Sequence, residues 1–493
     1  MGHIIAGDII VKKKSLGINA VLNCIKSSLS VIFPLIIYPY IYRVLQSENV
    51  GKVNFSSSIV SYFSLIAMLG VSQYAVREGA KVRNDLTNIQ IFANEVFSIN
   101  VISTIGAYVL LLVAILAIPK LNDYSLLIAI TSITIVFTTL GVEWINVIYE
   151  DYLYITVRSI FIHVISIVMI FLLVKDASDI YLYTFLSIIG TIVTGLSNWF
   201  YCRKYLKLKF VLKINFKRHF KPIITLFANA VATNIYVNSD VTMIGWFVGD
   251  HNVGVYSLSV RIYSVVKNIL SSLYTVTVPR ISFYIGQNNF GKVKELYTKL
   301  VSGITLLLLP ASVGMVCIAP EIIIIMGGAE YSESVISLQI LGVSLIGAIF
   351  GGLLTYCLNI PLGREKINFN ATIFSALINI GLNFILVPIY KQNGAAVTTV
   401  ISEFFVMGYC LFKARSIINT YLLFQEYKKN LLHAIVGAVI VVISSIIIHR
   451  LIGISTISLF LISASSMIGY LLLLIVLRNE MVTSVIRIVS NDL

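Results

Sequence analysis

The chain has 493 residues, 58% of them hydrophobic and 12% charged, with a mean hydropathy of +0.92, where an ordinary soluble domain carries roughly 25% charged residues. This excludes a water-soluble domain, and it removes the nucleic-acid partner that a formal net charge of +14 would otherwise imply, because the cations stand in breaks between apolar runs and encode topology. The runs suit helices that cross a bilayer in about 20 residues, and unpaired backbone groups are too costly in hydrocarbon for open strands.

In chain order, Lys12, Lys13 and Lys14 lead into an apolar run too long for a signal h-region, so it is read as a retained first span. Six spans are predicted at 17–45, 52–76, 92–118, 125–149, 153–174 and 180–202. The basic segment 203–221 follows. Six more spans are predicted at 222–248, 253–279, 300–320, 335–360, 367–389 and 394–412, and two last ones at 431–449 and 455–477. The expected architecture is an all-α polytopic membrane protein of fourteen transmembrane helices. Residues 1–202 form one six-helix lobe, 203–221 a linker, 222–415 a second lobe, and 416–493 two additional helices with a tail.

With a cytoplasmic N-terminus, one set of alternate loops carries Lys12–Lys14, Arg77 with Lys81 and Arg83, the run 203–221, Arg280 with Lys292, Lys294 and Lys299, and Arg364 with Lys366. Lys413, Arg415, Lys428, Lys429 and the tail's Arg478 and Arg487 add to it. The opposite loops offer little beyond Lys52, Lys120, Lys175, Lys391 and Arg450. The positive-inside rule therefore places both termini in the cytoplasm. For the linker itself, the favoured reading is a cytoplasmic connector obeying that rule, and the other is a patch for anionic lipid headgroups.

An internal repeat supports the two lobes. Asn49-Val50-Gly51 opens the second span and Asn252-Val253-Gly254 the eighth, and Arg77 and Arg280 follow their glycines at the same distance, as in transporters built from repeats.

Charges deep in a span face protein or water and mark pathways. The candidates are Lys26, Glu143, Asp240, Arg261, Lys267 and Glu403. In the eighth span Ser257, Arg261, Ser264, Lys267, Asn268, Ser271, Ser272 and Thr275 share one face at helical spacing. Such a face suits an anionic group such as a diphosphate, with Arg261, Lys267, Lys26, Asn268 and Ser264 as substrate contacts. The structural alternative is an internal ion pair, most simply Asp240 with Arg261 or Lys267. Asn19, Asn23 and Ser30 flank Lys26, and Asn229, Asn234 and Asn238 precede Asp240 on the seventh span. Asp240, Glu403 and Glu143 are the coupling or ion-pair candidates, and Tyr263 and Tyr38 candidates for stacking on sugar. Cys24, Cys202, Cys317, Cys357 and Cys410 lack metal or redox spacing and read as buried, reduced thiols. No cofactor or metal is expected.

Several stretches resemble a known family. Trp144, Tyr149, Glu150 and Arg158 mark an aromatic-rich junction between the fourth and fifth spans, with Ile148 where a glutamine is common. Pro222, Phe227, Asp240, Gly245, Val253-Gly254, Tyr256 and Arg261 keep family spacing, Arg261 standing where many members have lysine. Segments 319–331, 361–388 and 393–403 continue the series. Together they resemble the Wzx-like polysaccharide transporters of the multidrug/oligosaccharidyl-lipid/polysaccharide (MOP) superfamily. The resemblance implies a twelve-helix core in two lobes, a central cationic cavity, and alternating access for a polyprenyl-diphosphate-linked glycan. It also implies a bacterial inner-membrane location, contact with membrane lipids, and polymerase and chain-length proteins of the same pathway as partners.

Two other readings are weighed. A multidrug or peptidoglycan-precursor exporter would share the architecture, but a drug pump favours acidic and apolar cavity walls, whereas the deep charges here include cations. A membrane polymerase or ligase needs catalytic groups in a sizeable extramembrane loop, and the longest non-cytoplasmic loop, around 320–334, lacks Arg, Lys and His. Nor does the chain carry the Gly-rich Lys-Ser/Thr phosphate loop of a nucleotide-driven machine.

Overall fold

A computed structural model describes residues 16–415, 417, 420–479, 481 and 483. Among these, fourteen long helices and no strand are found. They are α1 (16–45), α2 (47–68), α3 (Leu86–Ala117), α4 (Ser125–Gly141), α5 (Tyr152–Leu173), α6 (Ile180–Tyr201), α7 (Phe216–Phe247), α8 (Asp250–Gly286), α9 (Phe290–Cys317), α10 (Ser334–Leu353), α11 (365–390), α12 (392–414), α13 (Thr420–Ile452) and α14 (Thr456–Val476).

The helix count matches the reading of the sequence, but two of the expected loops do not exist. α1 meets α2 at the single residue Gln46 (φ 64°), and α11 meets α12 at Lys391 (φ 52°). Each is one left-handed corner between two spans, a conformation that costs a non-glycine residue about 1 kcal/mol or more. Among the described residues, ten helical stretches are long and apolar enough to cross a membrane, and the stretches 33–82 and 365–414 each include a pair of helices that meet at such a corner. α7 and α8 are not among the ten. Both carry several Asn, Asp, Arg and Lys residues, so protein must solvate what lipid cannot.

The chain divides into two compact units, Met1–Tyr40 with Ser56–Asn234, and Ile41–Phe55 with Ile235–Leu493. In the first unit, a buried cluster that includes Val71, Tyr74, Phe92, Trp144 and Ile145 joins the helix Val71–Val82 to α3 and to the helix Glu143–Ile148. Beside it the buried His219 ring accepts or donates to Tyr74 Oη at 2.7 Å and meets Glu95 at 2.8 Å. α4 lies along α6, where Gly195 comes up against the backbone and ring of Phe137.

In the second unit the corner between α1 and α2 is fixed by a polar cluster. Glu330 Oε1 accepts from the Ser47 N–H (2.7 Å) and hydroxyl (2.5 Å), Ser47 Oγ also meets His251 Nδ1 (2.7 Å), and Arg43 donates to the Ile325 carbonyl (2.7 Å). The starts of α2 and α8 touch reciprocally: Gly51 lies against the Asp250 carbonyl, and Gly254 against the Ser47 carbonyl. A Cβ at either glycine would collide with backbone. Glu321, wholly buried, bonds His449 on α13 and Ser458 on α14 (3.0 Å), and Tyr470 of α14 donates to Leu306 O on α9 (2.9 Å), so the last two helices are tied into this unit.

Candidate functional site

Each candidate residue is placed by the helix that carries it. α8 presents the expected stripe, with Arg261, Asn268, Ser272 and Thr275 exposed and Ser264, Lys267 and Ser271 half-buried, while Ser257 is buried. The hydroxyls of its lower half satisfy themselves: Ser271, Ser272 and Thr275 donate to the carbonyls of Asn268, Ile269 and Ser271 at 2.7–3.0 Å. Polarity there needs no ligand.

Lys267 is different. Its ammonium forms an ion pair of 2.6 Å with Glu403 on α12 and lies 5.5 Å from the centre of the Tyr263 ring. Glu403 is positioned by α10, where Gly347 lets the α12 backbone at Glu403 and Phe404 approach closely. Tyr263 completes the group by hydrogen bonds to Glu403 (3.4 Å) and Ser344 (3.3 Å). Lys267 thus shows the structural alternative, an internal ion pair, and its acid is Glu403 rather than Asp240. Tyr263 is buried within the same group, which corrects the expectation of a ring free to stack on sugar.

Asp240 sits in a separate cage of hydroxyls and amides. Its carboxylate accepts from Thr399 Oγ1 (2.6 Å) and Asn383 Nδ2 (2.6 Å) and from Tyr256 Oη (2.7 Å). A further tier fixes the donors. Thr398 Oγ1 donates to Asn383 Oδ1 (2.7 Å), Asn383 Nδ2 reaches Asn379 Oδ1 (3.1 Å), and Ser239 Oγ donates to the same oxygen (2.8 Å). Four helices, α7, α8, α11 and α12, thus converge on one carboxylate. Each hydrogen bond to an ionised group stabilises it by about 1.5–3 kcal/mol, which offsets part of the cost of burying charge.

In the first unit Glu143 follows a left-handed residue, Val142 (φ 35°), just beyond the end of α4, and pairs with Arg158 of α5 at 2.7 Å. Arg158 is buried, also bonds Asn198, and lies 5.0 Å from the centre of the Tyr154 ring. Asn146 donates to the same Asn198 at 3.0 Å. The side chains of Lys26, Asn19, Asn23, Ser30 and Asn229 lie outside the described residues. Cys202, Cys357 and Cys410 are buried free thiols, and Cys317 is half-buried.

Sequence reasoning missed Arg158 as a site residue, although it is a buried cation inside a predicted span and the rule applied to Lys267 would have flagged it. It also missed Asn379, Asn383, Thr398 and Thr399. Asn379 and Asn383 stand one turn apart in the predicted eleventh span, and that spacing was the available signal.

The comparisons agree with this architecture. The family model described as "Polysaccharide biosynthesis protein" matches residues 16–285, and the MatE family model matches 226–385. An inferred O-antigen transporter of Shigella dysenteriae is 23% identical over 77% of this chain and 95% of its own length. A second, from Escherichia coli (strain K12), is 23% identical over 82% and 98%. The solved structure of the lipid II flippase MurJ, in an inward closed conformation, shares the fold with a TM-score of 0.75, at 17% identity over 94% of this chain and 99% of that one. With the first of these models covering more than half its length, the chain belongs to the polysaccharide biosynthesis protein family.

Proposed function

We propose that this protein is a flippase that carries a polyprenyl-diphosphate-linked oligosaccharide repeat unit, of an O-antigen or another surface polysaccharide, from the cytoplasmic to the outer leaflet of a bacterial inner membrane. Transport is by alternating access, with both termini cytoplasmic. The observation that carries the reading is Arg261, an exposed cation on the polar face of α8, the helix read from the sequence as the eighth span, in a chain of this family. A guanidinium within a span faces the bundle interior or a water-filled cavity and marks a pathway, and its fork matches phosphate oxygens two at a time. Lys267, already paired with Glu403, offers a weaker contact that an arriving diphosphate would have to share.

Asp240 is the coupling group in this proposal. Glu403 and Glu143 are each held by a cation, whereas the hydrogen bonds to Asp240 come from hydroxyls and an amide. Uptake of a proton or another cation would change the charge of its cage. Membrane lipids, and the polymerase and chain-length proteins of the pathway, are the proposed partners.

The test is made in a strain lacking the gene and complemented with variants. Arg261→Ala should abolish surface glycan and accumulate lipid-linked repeat unit at normal protein abundance, and Arg261→Lys should retain part of the activity. Wild-type glycan from Arg261→Ala would overturn the assignment.

A further inference from the structure

The basic segment after α6 is not a free connector. Within the first unit it runs along α3, and alternate backbone groups are bound. The N–H of Lys207 donates to Gln90 Oε1 (3.2 Å) while Gln90 Nε2 returns a bond to the Lys207 carbonyl (2.8 Å). The N–H of Lys209 donates to Asn94 Oδ1 (2.9 Å), that of Val211 to Ser98 Oγ (2.8 Å), and that of Asn215 to Glu95 Oε1 (3.2 Å). Gln90, Asn94 and Ser98 recur every four residues, a rise of about 6 Å on a helix, and two residues of extended chain advance about 6.6 Å. The two repeats stay in register, so the segment is strapped down.

Strapping fixes which side chains look outward. Arg203, Lys207, Lys209 and Lys213 are exposed, and so are Phe210 and Leu212, the latter at 82%. Arg203 and Lys207 share a cavity of about 300 Å³ with Trp199, Cys202 and Leu208. Where α7 begins, exposed Phe216 and Phe220 line an apolar groove with Leu69, Ile99, Ile102 and Ile223, beside exposed Lys217 and Lys221. A connector that only obeys the topology rule needs cations. It does not need an ordered backbone or large apolar side chains standing between the cations.

We propose that residues 203–221 form a docking site for anionic phospholipid of the surrounding bilayer, its phosphate held by Arg203 and Lys207 and acyl chains lying against Phe216 and Phe220. Charge complementarity and the apolar groove at one membrane face commit the site to a lipid that has both a phosphate and acyl chains. The lipid-linked glycan offers the same phosphate chemistry, so the test separates the two.

Lipid retention by the full chain is measured by native mass spectrometry from mixed micelles of phosphatidylglycerol, phosphatidylcholine or a polyprenyl diphosphate. The wild type should prefer phosphatidylglycerol to phosphatidylcholine, and R203Q/K207Q should weaken that binding about 10- to 30-fold, from the effect of two basic residues at a charged surface. K209Q/K213Q, whose lysines point outward from the strap, gives a smaller loss and a second reading should the first variant fold poorly. Equal retention of both phospholipids overturns the proposal, as does unchanged preference in both variants. Displacement of phosphatidylglycerol from this segment by the polyprenyl diphosphate would assign the site to substrate and also overturn it. None of these outcomes depends on Arg261, so failure here leaves the transport reading standing.

Discussion

Removing Lys267 and removing Glu403 should not cost the same. The Glu403 side chain is 8% exposed and the Lys267 side chain 32%. In Lys267→Met the carboxylate stays buried with Tyr263 at 3.4 Å as its remaining donor in the group, and an uncompensated buried charge of this kind destabilises by about 3–5 kcal/mol. In Glu403→Gln the ammonium, a third exposed, turns toward water, and the new amide still accepts from Tyr263. About 1.5–3 kcal/mol is expected, the contribution of one hydrogen bond to a charged group. The double variant K267M/E403Q should fall well short of the sum, with a coupling of about 1–3 kcal/mol. Unfolding of the purified protein at fixed detergent concentration measures the cycle, and surface glycan in a complemented deletion strain reports transport. Equal single-variant costs, or strict additivity, would refute the reasoning. The same cycle separates the two roles of Lys267: a double variant that regains stability but stays inactive needs the cation for substrate, whereas one that regains both needed it only for the pair.

Further outcomes follow from other parts of the molecule. Asp240→Asn leaves the cage one acceptor short at a cost of about 1–3 kcal/mol and should abolish gradient-driven flipping in proteoliposomes; persistence of the gradient dependence removes Asp240 from coupling. Gly254→Leu forces a side chain into the Ser47 carbonyl and should destabilise by at least about 1–3 kcal/mol, whereas Gly286→Ala, with nothing within 4 Å of its added Cβ, should leave the melting temperature unchanged or slightly raised. Glu330→Gln removes the charge that holds both the N–H and hydroxyl of Ser47, so hydrogen exchange should quicken at residues 46–51 and stay unchanged in α14. Reporter fusions within 203–221 and 280–299 should report cytoplasm, and one at Glu330 the other side; a single inversion breaks the proposed topology.

How much of this was legible beforehand depends on the range of the interaction. Helix existence was legible because hydrophobic windows of about 20 residues are a local property. Helix ends were less so. The eighth span was cut at 279 and the ninth begun at 300, yet α8 runs to Gly286 and α9 starts at Phe290, because hydropathy falls at the charged segment while helix propensity does not. Glu295 and Lys299, paired at 2.6 Å one turn apart, show the helix continuing. The breaks near Gln46 and Lys391 were legible as interruptions between spans, but that each is a corner at a single residue was not, since neither residue is glycine. Deep charges were flagged correctly by their cost in hydrocarbon. Which acid meets which cation was not, because Asp240 and Glu403 differ only in the tertiary neighbours that α10, α11 and α12 bring to them.

The repeated Asn-Val-Gly shows where a short signal becomes structural. A triplet seen twice has little weight by itself, yet both glycines sit at the start of a helix and each faces the carbonyl four residues before the other. Such reciprocity is what a two-fold axis imposes, because residue i touches j when the partner's i touches j in return. Here both partners belong to one chain and one compact unit. The glycine is needed twice because the same close approach is made twice. It follows that the corner between α1 and α2 is clamped from one side by Gly51 and Gly254 and from the other by Glu330 on Ser47. Any motion that carries α2 away from α8 must break the glycine contact and the Glu330 hydrogen bonds together. The combined variant Glu330→Gln with Gly51→Ala should therefore lower the melting temperature by less than the sum of its parts, since the clash of an added Cβ with the Asp250 carbonyl already displaces the corner and with it the hydrogen bonds that Glu330→Gln weakens.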